Sequence, residues 1–492
     1  MIYNFDLIDC LDEIIPENDT KYLSEDDELE LYDMCIYLMS ELIENNPTLI
    51  TDPNFNELFE ENIHELVHSH FMDSVYYTED AEEEIDELIE YSKTDFFKYI
   101  IPPRSYPSTL ILQLPNIEKM SQQIDILRNK HQPTQRTKEW YMNRYNLITA
   151  SNAYKIFESQ STQNQLIYEK CKPLVEEEYG KFVNVNSPLH WGQKYEPVSV
   201  MIYEKNFKTK VEDFGCITHD EYSFLGASPD GINIDVTNER YGRMLEIKNI
   251  VNREIDGIPK KEYWIQMQLQ MEVCNLDECD FLETKFVEYE DYETFSQDSI
   301  KDIDTNGEEF INLCESIDGK MKGIIIYFHK ENNSPYYVYM PFDIYDEIDI
   351  NEWIDEELKK YENIHTYIKT IYWKLEKHSC VLVCRNKWWF KSCIDEFEKF
   401  WKLIESERIS GHEHRQPNKR IQSVDKNKII VSKLDESENN NVLQRPESST
   451  QNLSILKSSN LTSNLNSKPL SLNLQFKNNI GQSKCLLKII KK

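Results

Sequence analysis

Three side chains at short spacings could perform hydrolytic chemistry on a phosphate: Asp230, in the run Ser228-Pro229-Asp230-Gly231, and the pair Glu246 and Lys248 around Ile247. On a β-strand successive side chains alternate faces, so Glu246 and Lys248 project together while Leu245 and Ile247 turn the other way. Pro-Asp-Gly is a turn signal, and between Phe224-Leu225 and Ile232, Ile234 it predicts a hairpin or meander that places Asp230 beside Glu246. Two carboxylates suit Mg²⁺, a hard cation that takes oxygen ligands. Such a cation polarises a phosphodiester and lowers the pKa of water, and a neighbouring lysine orients that water or stabilises developing charge. The Glu-x-Lys spacing alone is common, and Glu283-Thr284-Lys285 and Glu357-Leu358-Lys359 repeat it here. What distinguishes Glu246-Ile247-Lys248 is the chain's one Pro-Asp, a hairpin's length upstream.

The elements that must hold these residues follow from the flanking sequence. Trp140 and Arg144 lie one helical turn apart, and Thr149 or Ser151 can cap a helix through Tyr154, Ile156 and Phe157. An arginine beside a capping hydroxyl makes a phosphate receptor, because guanidinium forks onto phosphate oxygens and a helix start favours anions. His190 to Tyr203 reads as an amphipathic helix bearing Glu196, a further carboxylate, and Pro197 requires that the helix start or bend there. Strands are expected at 214–218, 222–227, 231–234 and 243–250, where turns are dense: seven of the twelve glycines lie between Gly180 and Gly257. Residues 262–274 predict a helix with Trp264, Met267, Met271 and Cys274 on one face and Tyr263, Gln266 and Gln270 on another. A strand at 280–286 and a hairpin of 324–328 with 336–340 follow, then helical patterns from Ile350 to Ile404 around a strand-like Val381-Leu382-Val383. Trp388, Trp389, Phe390 and Trp401 read as core.

Charge is distributed unevenly over the 492 residues, whose net is −34. Residues 1–100 carry 29 acids against three lysines and contain no glycine or tryptophan, while 411–492 carry 14 basic residues against six acids. Apolar residues at helical spacing (Leu31, Met34, Leu38, Leu42; Phe55, Phe59, Ile63, Val67; Ile85, Leu88, Ile89) predict an acidic helical domain over 1–105. Its charge suits either a solvated cap or a mimic of DNA that docks a basic partner. Residues 106–134, broken by prolines and rich in glutamine, read as a linker, and 135–410 as the catalytic module with its motif core at 135–290. The 411–492 tail, rich in Asn, Ser and Lys, lacks the apolar content to fold alone. Eleven cysteines without a CxxC pair indicate free thiols in a reducing compartment. His378, Cys380, Cys384 and Cys393 are too irregularly spaced around a strand for a zinc site. No run approaches membrane-spanning length, so a soluble intracellular protein is expected, without membrane partners.

Taken in order, Trp140 to Arg144, Ile148 to Ser151, Trp191 to Glu196, Ser228 to Gly231, Glu246 to Lys248 and Tyr263 to Gln266 make the chain resemble the YqaJ-like viral recombinases, which belong with lambda exonuclease in the PD-(D/E)xK nuclease superfamily. The resemblance covers residues 135–290 and weakens toward 405. It implies an α/β (α+β) fold with a restriction-endonuclease-like mixed sheet flanked by helices, and DNA hydrolysis with Mg²⁺ or Mn²⁺. By position, Asp230, Glu246 and Glu196 resemble the metal ligands, Lys248 the catalytic lysine, and Gln266, supported by Tyr263, the glutamine beside the metals. Arg144, Ser151 and Ser228 correspond to residues that hold a terminal 5′-phosphate. Together they imply 5′-to-3′ digestion of linear double-stranded DNA in viral recombination or end processing, with a single-strand annealing protein as partner and a homo-oligomer as an arrangement the family allows. A host cytoplasm or viral replication compartment would be its location. The same metal site would serve a structure-specific endonuclease or resolvase, and a silent DNA-binding or scaffold protein would keep the fold without the chemistry.

Overall fold

The computed structural model describes residues 22–71, 79–135, 137–174, 184–303, 307 and 309–416; the tail expected over 411–492 lies outside the described residues beyond 416. The acidic segment forms three helices, α1 (Glu25–Asn45), α2 (Phe55–Phe71) and α3 (Glu79–Tyr99). Ser24 and Asp27 close a reciprocal capping box at the start of α1, and Leu31, Leu38, Leu42, Phe59, Ile63, Ile85 and Ile89 are buried as their spacing predicts. The span read as a linker carries packed structure: strand β1 (Tyr106–Pro107) and helix α4 (Ile117–Asn129), whose Ile124 and Leu127 are fully buried.

The central region continues with α5 (Lys138–Tyr145), β2 (Ile148–Thr149), α6 (Ala150–Ala153), α7 (Gln160–Cys171) and α8 (Pro188–Phe207). Then follow β3 (Val211–Glu212), β4 (Ile217–Thr218), β5 (Leu225–Ala227), β6 (Gly231–Asn233), β7 (Met244–Asn249), α9 (Lys261–Cys274) and β8 (Glu278–Glu288). The last part comprises α10 (Tyr292–Gln297), β9 (Ile300–Ile303), β10 (Glu309–Asn312), β11 (Lys322–His329), β12 (Pro335–Tyr339), α11 (Glu347–Tyr361), β13 (Thr366–Cys384) and α12 (Lys387–Ser410).

The main mixed sheet runs β12-β11-β13-β8-β7-β6-β3, with β1 added to β13. Within it β7 and β8 are parallel, joined by α9 as crossover, and the other pairs are antiparallel. A second sheet, β2-β5-β4, stands apart from it. Among the described residues no helix is long and apolar enough to cross a membrane.

Three differences from expectation have physical causes. The Ser228–Asp230 turn does not close a hairpin: β5 belongs to the small sheet and β6 to the large one, so the turn passes the chain from one to the other. Helical patterning was expected across 366–380, but β13 is one 19-residue strand: its Thr, Tyr, Ile and Trp side chains suit a pleated surface, and it pairs with β11 over Thr366–Lys374 and with β8 over Trp373–Cys384. Pro197 lies inside α8 rather than at its start. Its missing N–H leaves the Gln193 carbonyl without its helical donor, and on either side of it the carbonyls of Gly192 and Lys194 accept hydrogen bonds from Asn249 Nδ2 (2.9 Å) and Tyr339 Oη (2.9 Å).

Candidate active site

Register brings the first two carboxylates together. β6 pairs with β7 through Gly231 opposite Leu245, which sets Asp230, at the mouth of β6, against Glu246 and Ile247 on β7. Asp230 Oδ2 accepts a hydrogen bond from the Ile247 amide at 2.7 Å, fixing the turn to the strand. Gly231 is required by close approach: a Cβ there would meet Val211 Cγ1 on β3 at 2.1 Å.

Glu246 is fully buried and surrounded by donors. Its Oε1 accepts from Lys248 Nζ and from Gln266 Nε2 (2.7 Å), and its Oε2 accepts from Gln270 Nε2 (2.7 Å). Gln266 and Gln270 are one turn apart on α9, the crossover helix that follows β7, so the βαβ connection itself sets them over the carboxylate. Gln270 Nε2 also reaches the Ser228 carbonyl (3.2 Å), while its Oε1 is buried without a partner. Lys248 Nζ lies 5.1 Å from the centre of the Tyr263 ring.

The electrostatics reflect crowding of like charges. Burial, with Glu246 and Glu196 nearby, pushes the Asp230 carboxyl well above the usual carboxylate range, against the opposing pull of Lys248. Burial alone would depress the Lys248 ammonium, but Glu246 and Asp230 outweigh it and hold the group above the ordinary lysine range. Glu196, on the exposed surface of α8, contributes to this rise through its negative charge. α8 is held against β7 by Ser199 Oγ, which donates to Asn249 Oδ1 at 2.8 Å. Asp230 and Glu246, with Glu196 near enough to raise the Asp230 carboxyl, offer oxygen donors only, a chemistry that suits a hard divalent cation; such an ion would relieve the repulsion that disfavours ionised Asp230.

The residues aligned with a phosphate pocket lie partly together. The Arg144 guanidinium and the Ser228 hydroxyl both face the buried Cys216 thiol. Ser228 Oγ is itself buried without a conventional hydrogen-bond partner. Arg144 also stacks on Trp140, 4.6 Å from the ring centre. Ser151 is exposed, with Thr149 Oγ1 at 3.4 Å on the strand that pairs with β5. Thr149 occupies the cap position of α6, its hydroxyl bonded to the Asn152 side chain (3.2 Å) rather than to a backbone amide of the helix, and the helix lasts one turn before Tyr154–Phe157 tightens to 3₁₀.

Two contributors were not singled out from sequence. Gln270 stood beside Gln266 on the predicted polar face, but its contact to the second oxygen of Glu246 depends on how α9 sits on the sheet. Lys170, 7% exposed, donates to the Arg144 carbonyl at 2.6 Å, and burial together with Arg144 pushes its ammonium down to about 7. A lysine at the end of an ordinary helix offers no sequence signal for that.

Residues 139–277, which hold every residue of this site, match the YqaJ-like viral recombinase domain. An uncharacterized protein of Acanthamoeba polyphaga mimivirus is 32% identical over 313 residues, 57% of this chain and 54% of that protein, so the chain spans about half the length of that relative. Crystal structures of the alkaline exonuclease LHK-Exo from Laribacter hongkongensis, one in complex with dAMP, are similar at 18% identity with TM-scores of 0.31 and 0.30. They cover 55% and 56% of this chain and 94% and 95% of their own. The motif blocks and this match agree: residues 139–277 are similar to the YqaJ-like viral recombinase domain.

Proposed function

We propose that this protein is a divalent-cation-dependent deoxyribonuclease that digests linear duplex DNA from its 5′ end, in viral recombination or end processing. The observation that carries the reading is the cage around Glu246: a buried carboxylate held on both oxygens by Lys248, Gln266 and Gln270, with Asp230 and the field of Glu196 converging on it. Asp230, Glu246 and Glu196 would hold Mg²⁺ or Mn²⁺. The chemistry such an ion supplies is polarisation of the phosphodiester and a lowered pKa of attacking water.

The chain's own residues would do the rest. Lys248, kept charged by its two carboxylate neighbours, stabilises negative charge developing on the phosphate and orients water beside Glu246. Gln266 and Gln270 hold Glu246 in one orientation, so no side-chain reorganisation accompanies the reaction. Arg144, with the Ser228 hydroxyl across Cys216 and Ser151 on the neighbouring turn, receives the terminal 5′-phosphate and thereby sets polarity.

The test is digestion in Mg²⁺ of three substrates: 5′-phosphorylated linear duplex, its 5′-hydroxyl counterpart, and a covalently closed circle. The expected result is preferential loss of the phosphorylated linear DNA, with the preference lost in Arg144→Ala. Nicking of the circle at a comparable rate would replace this reading with an endonuclease.

A further inference from the structure

Away from the sheet, α2 and α3 present nitrogen and oxygen donors to one another. His64 and His68 lie one helical turn apart on α2 with their rings stacked, centres 5.9 Å apart and planes within 19°. Both aim a ring nitrogen at the same oxygen of Asp86 on α3: His64 Nδ1 at 3.1 Å and His68 Nε2 at 2.8 Å from Oδ1. The three donor atoms all lie within 4.8 Å of one another, and all three side chains are half-buried. We infer that His64, His68 and Asp86 form a transition-metal site, of zinc type, that staples α2 to α3.

Donor spacing supports this. With bonds of about 2.0–2.2 Å, neighbouring ligands of a tetrahedral zinc ion stand roughly 3.3 Å apart. The two nitrogen-to-oxygen separations, 3.1 and 2.8 Å, need to open by only a few tenths of an ångström, and the two nitrogens lie within 4.8 Å of each other, within reach of half-buried side chains. Three protein ligands leave a fourth position for water. Glu60 and Glu90, one turn from His64 and Asp86, are not free to fill it, since Lys93 Nζ bridges them at 3.2 and 2.5 Å. They add negative potential beside the ion instead.

Donor chemistry also divides this site from the one on the sheet. Imidazole nitrogens favour zinc, cobalt or nickel, whereas an all-oxygen set such as Asp230, Glu246 and Glu196 suits magnesium or manganese. The segment has reason to hold a cation: α1 to α3 belong to a stretch with 29 acids and three lysines, whose mutual repulsion a bound dication reduces.

The experiment is titration of the chelator-stripped full-length chain with Co²⁺, in excess Mg²⁺, read by visible absorption. Wild type and Asp230→Asn are expected to take one equivalent with the intense bands of a four-coordinate ion. His64→Gln/His68→Gln and Asp86→Asn are expected to bind at least about 100-fold more weakly, with far-UV circular dichroism unchanged. Binding in either of these variants equal to wild type, or no Co²⁺ uptake by wild type above the Mg²⁺ background, overturns the assignment. The readout is ion binding rather than cleavage, so it stands apart from the nuclease reading.

Discussion

A carboxylate with no solvent exposure, such as Glu246, is tolerable only where donors surround it, and here three side chains do so. Lys170 is the opposite case, an ammonium depressed first by burial and then by Arg144 and Arg408, which outweigh the opposing pull of Glu169. Its folded value, pushed down to about 7, lies below the ordinary 10.5 of an unfolded lysine. Between those values the unfolded chain keeps a proton that the folded chain has lost, so this group makes stability rise with pH across that window. Below about 7 both states are protonated and its destabilisation is felt in full. Lys170→Met is expected to flatten the rise in urea midpoint between pH 7 and 9. A slope equal to wild type would mean that Lys170 titrates as a free lysine.

At the scale of elements, β7 and β8 are braced from behind by a buried polar network. Asp280, fully buried on β8, takes Arg240 Nη1 at 2.5 Å, Arg243 Nη1 at 3.2 Å and Tyr203 Oη at 2.6 Å. Tyr203 belongs to α8, so the network also helps place the helix that carries Glu196. Asp280→Ala removes the acid that pairs with buried Arg240 and one of the two that pair with buried Arg243, which keeps Glu278 at 2.8 Å, and is expected to cost about 3–5 kcal/mol of stability, measured by denaturant unfolding. A loss under about 1 kcal/mol would show that solvent reaches the arginines. Much at this scale was legible in the chain. The alternation Met244 to Asn249 predicts β7, and the two faces of α9 predict both its core stripe and the glutamines over the site. What escaped sequence depends on partners distant in the chain. A Pro-Asp-Gly turn looks the same whether it joins paired strands or, as here, two sheets. Thr366 to Trp373 alternates too weakly to show a strand until β11 lies beside it.

For the whole molecule, the acidic helices and the region that carries the main sheet share one apolar core, running from Leu31 and Phe59 through Ile124 to Trp264 and Trp401. Buried Arg104 joins them: it donates to the carbonyls of Thr51 and Pro259, and its own carbonyl accepts from Trp264 Nε1 at 3.0 Å. The charge asymmetry that suggests a separate domain over 1–105 reports the solvent face of the helices and says nothing of the face that packs inward. A chain beginning at residue 106 is expected to melt well below the full-length protein, since it exposes the apolar surface the helices cover. Equal melting temperatures would instead establish 1–105 as an independent domain.

The central claim is that Asp230, Glu246 and Lys248 form one hydrolytic centre dependent on a divalent cation. The measurement that tests it most directly is the single-turnover rate on linear duplex DNA, with Mg²⁺ and with chelator, for wild type, Lys248→Ala and Asp230→Asn. Cleavage by wild type in Mg²⁺, with its loss in chelator and a fall of at least about 10³-fold in each variant at unchanged circular dichroism, is the predicted result. Cleavage that survives both substitutions, or proceeds equally in chelator, would contradict it.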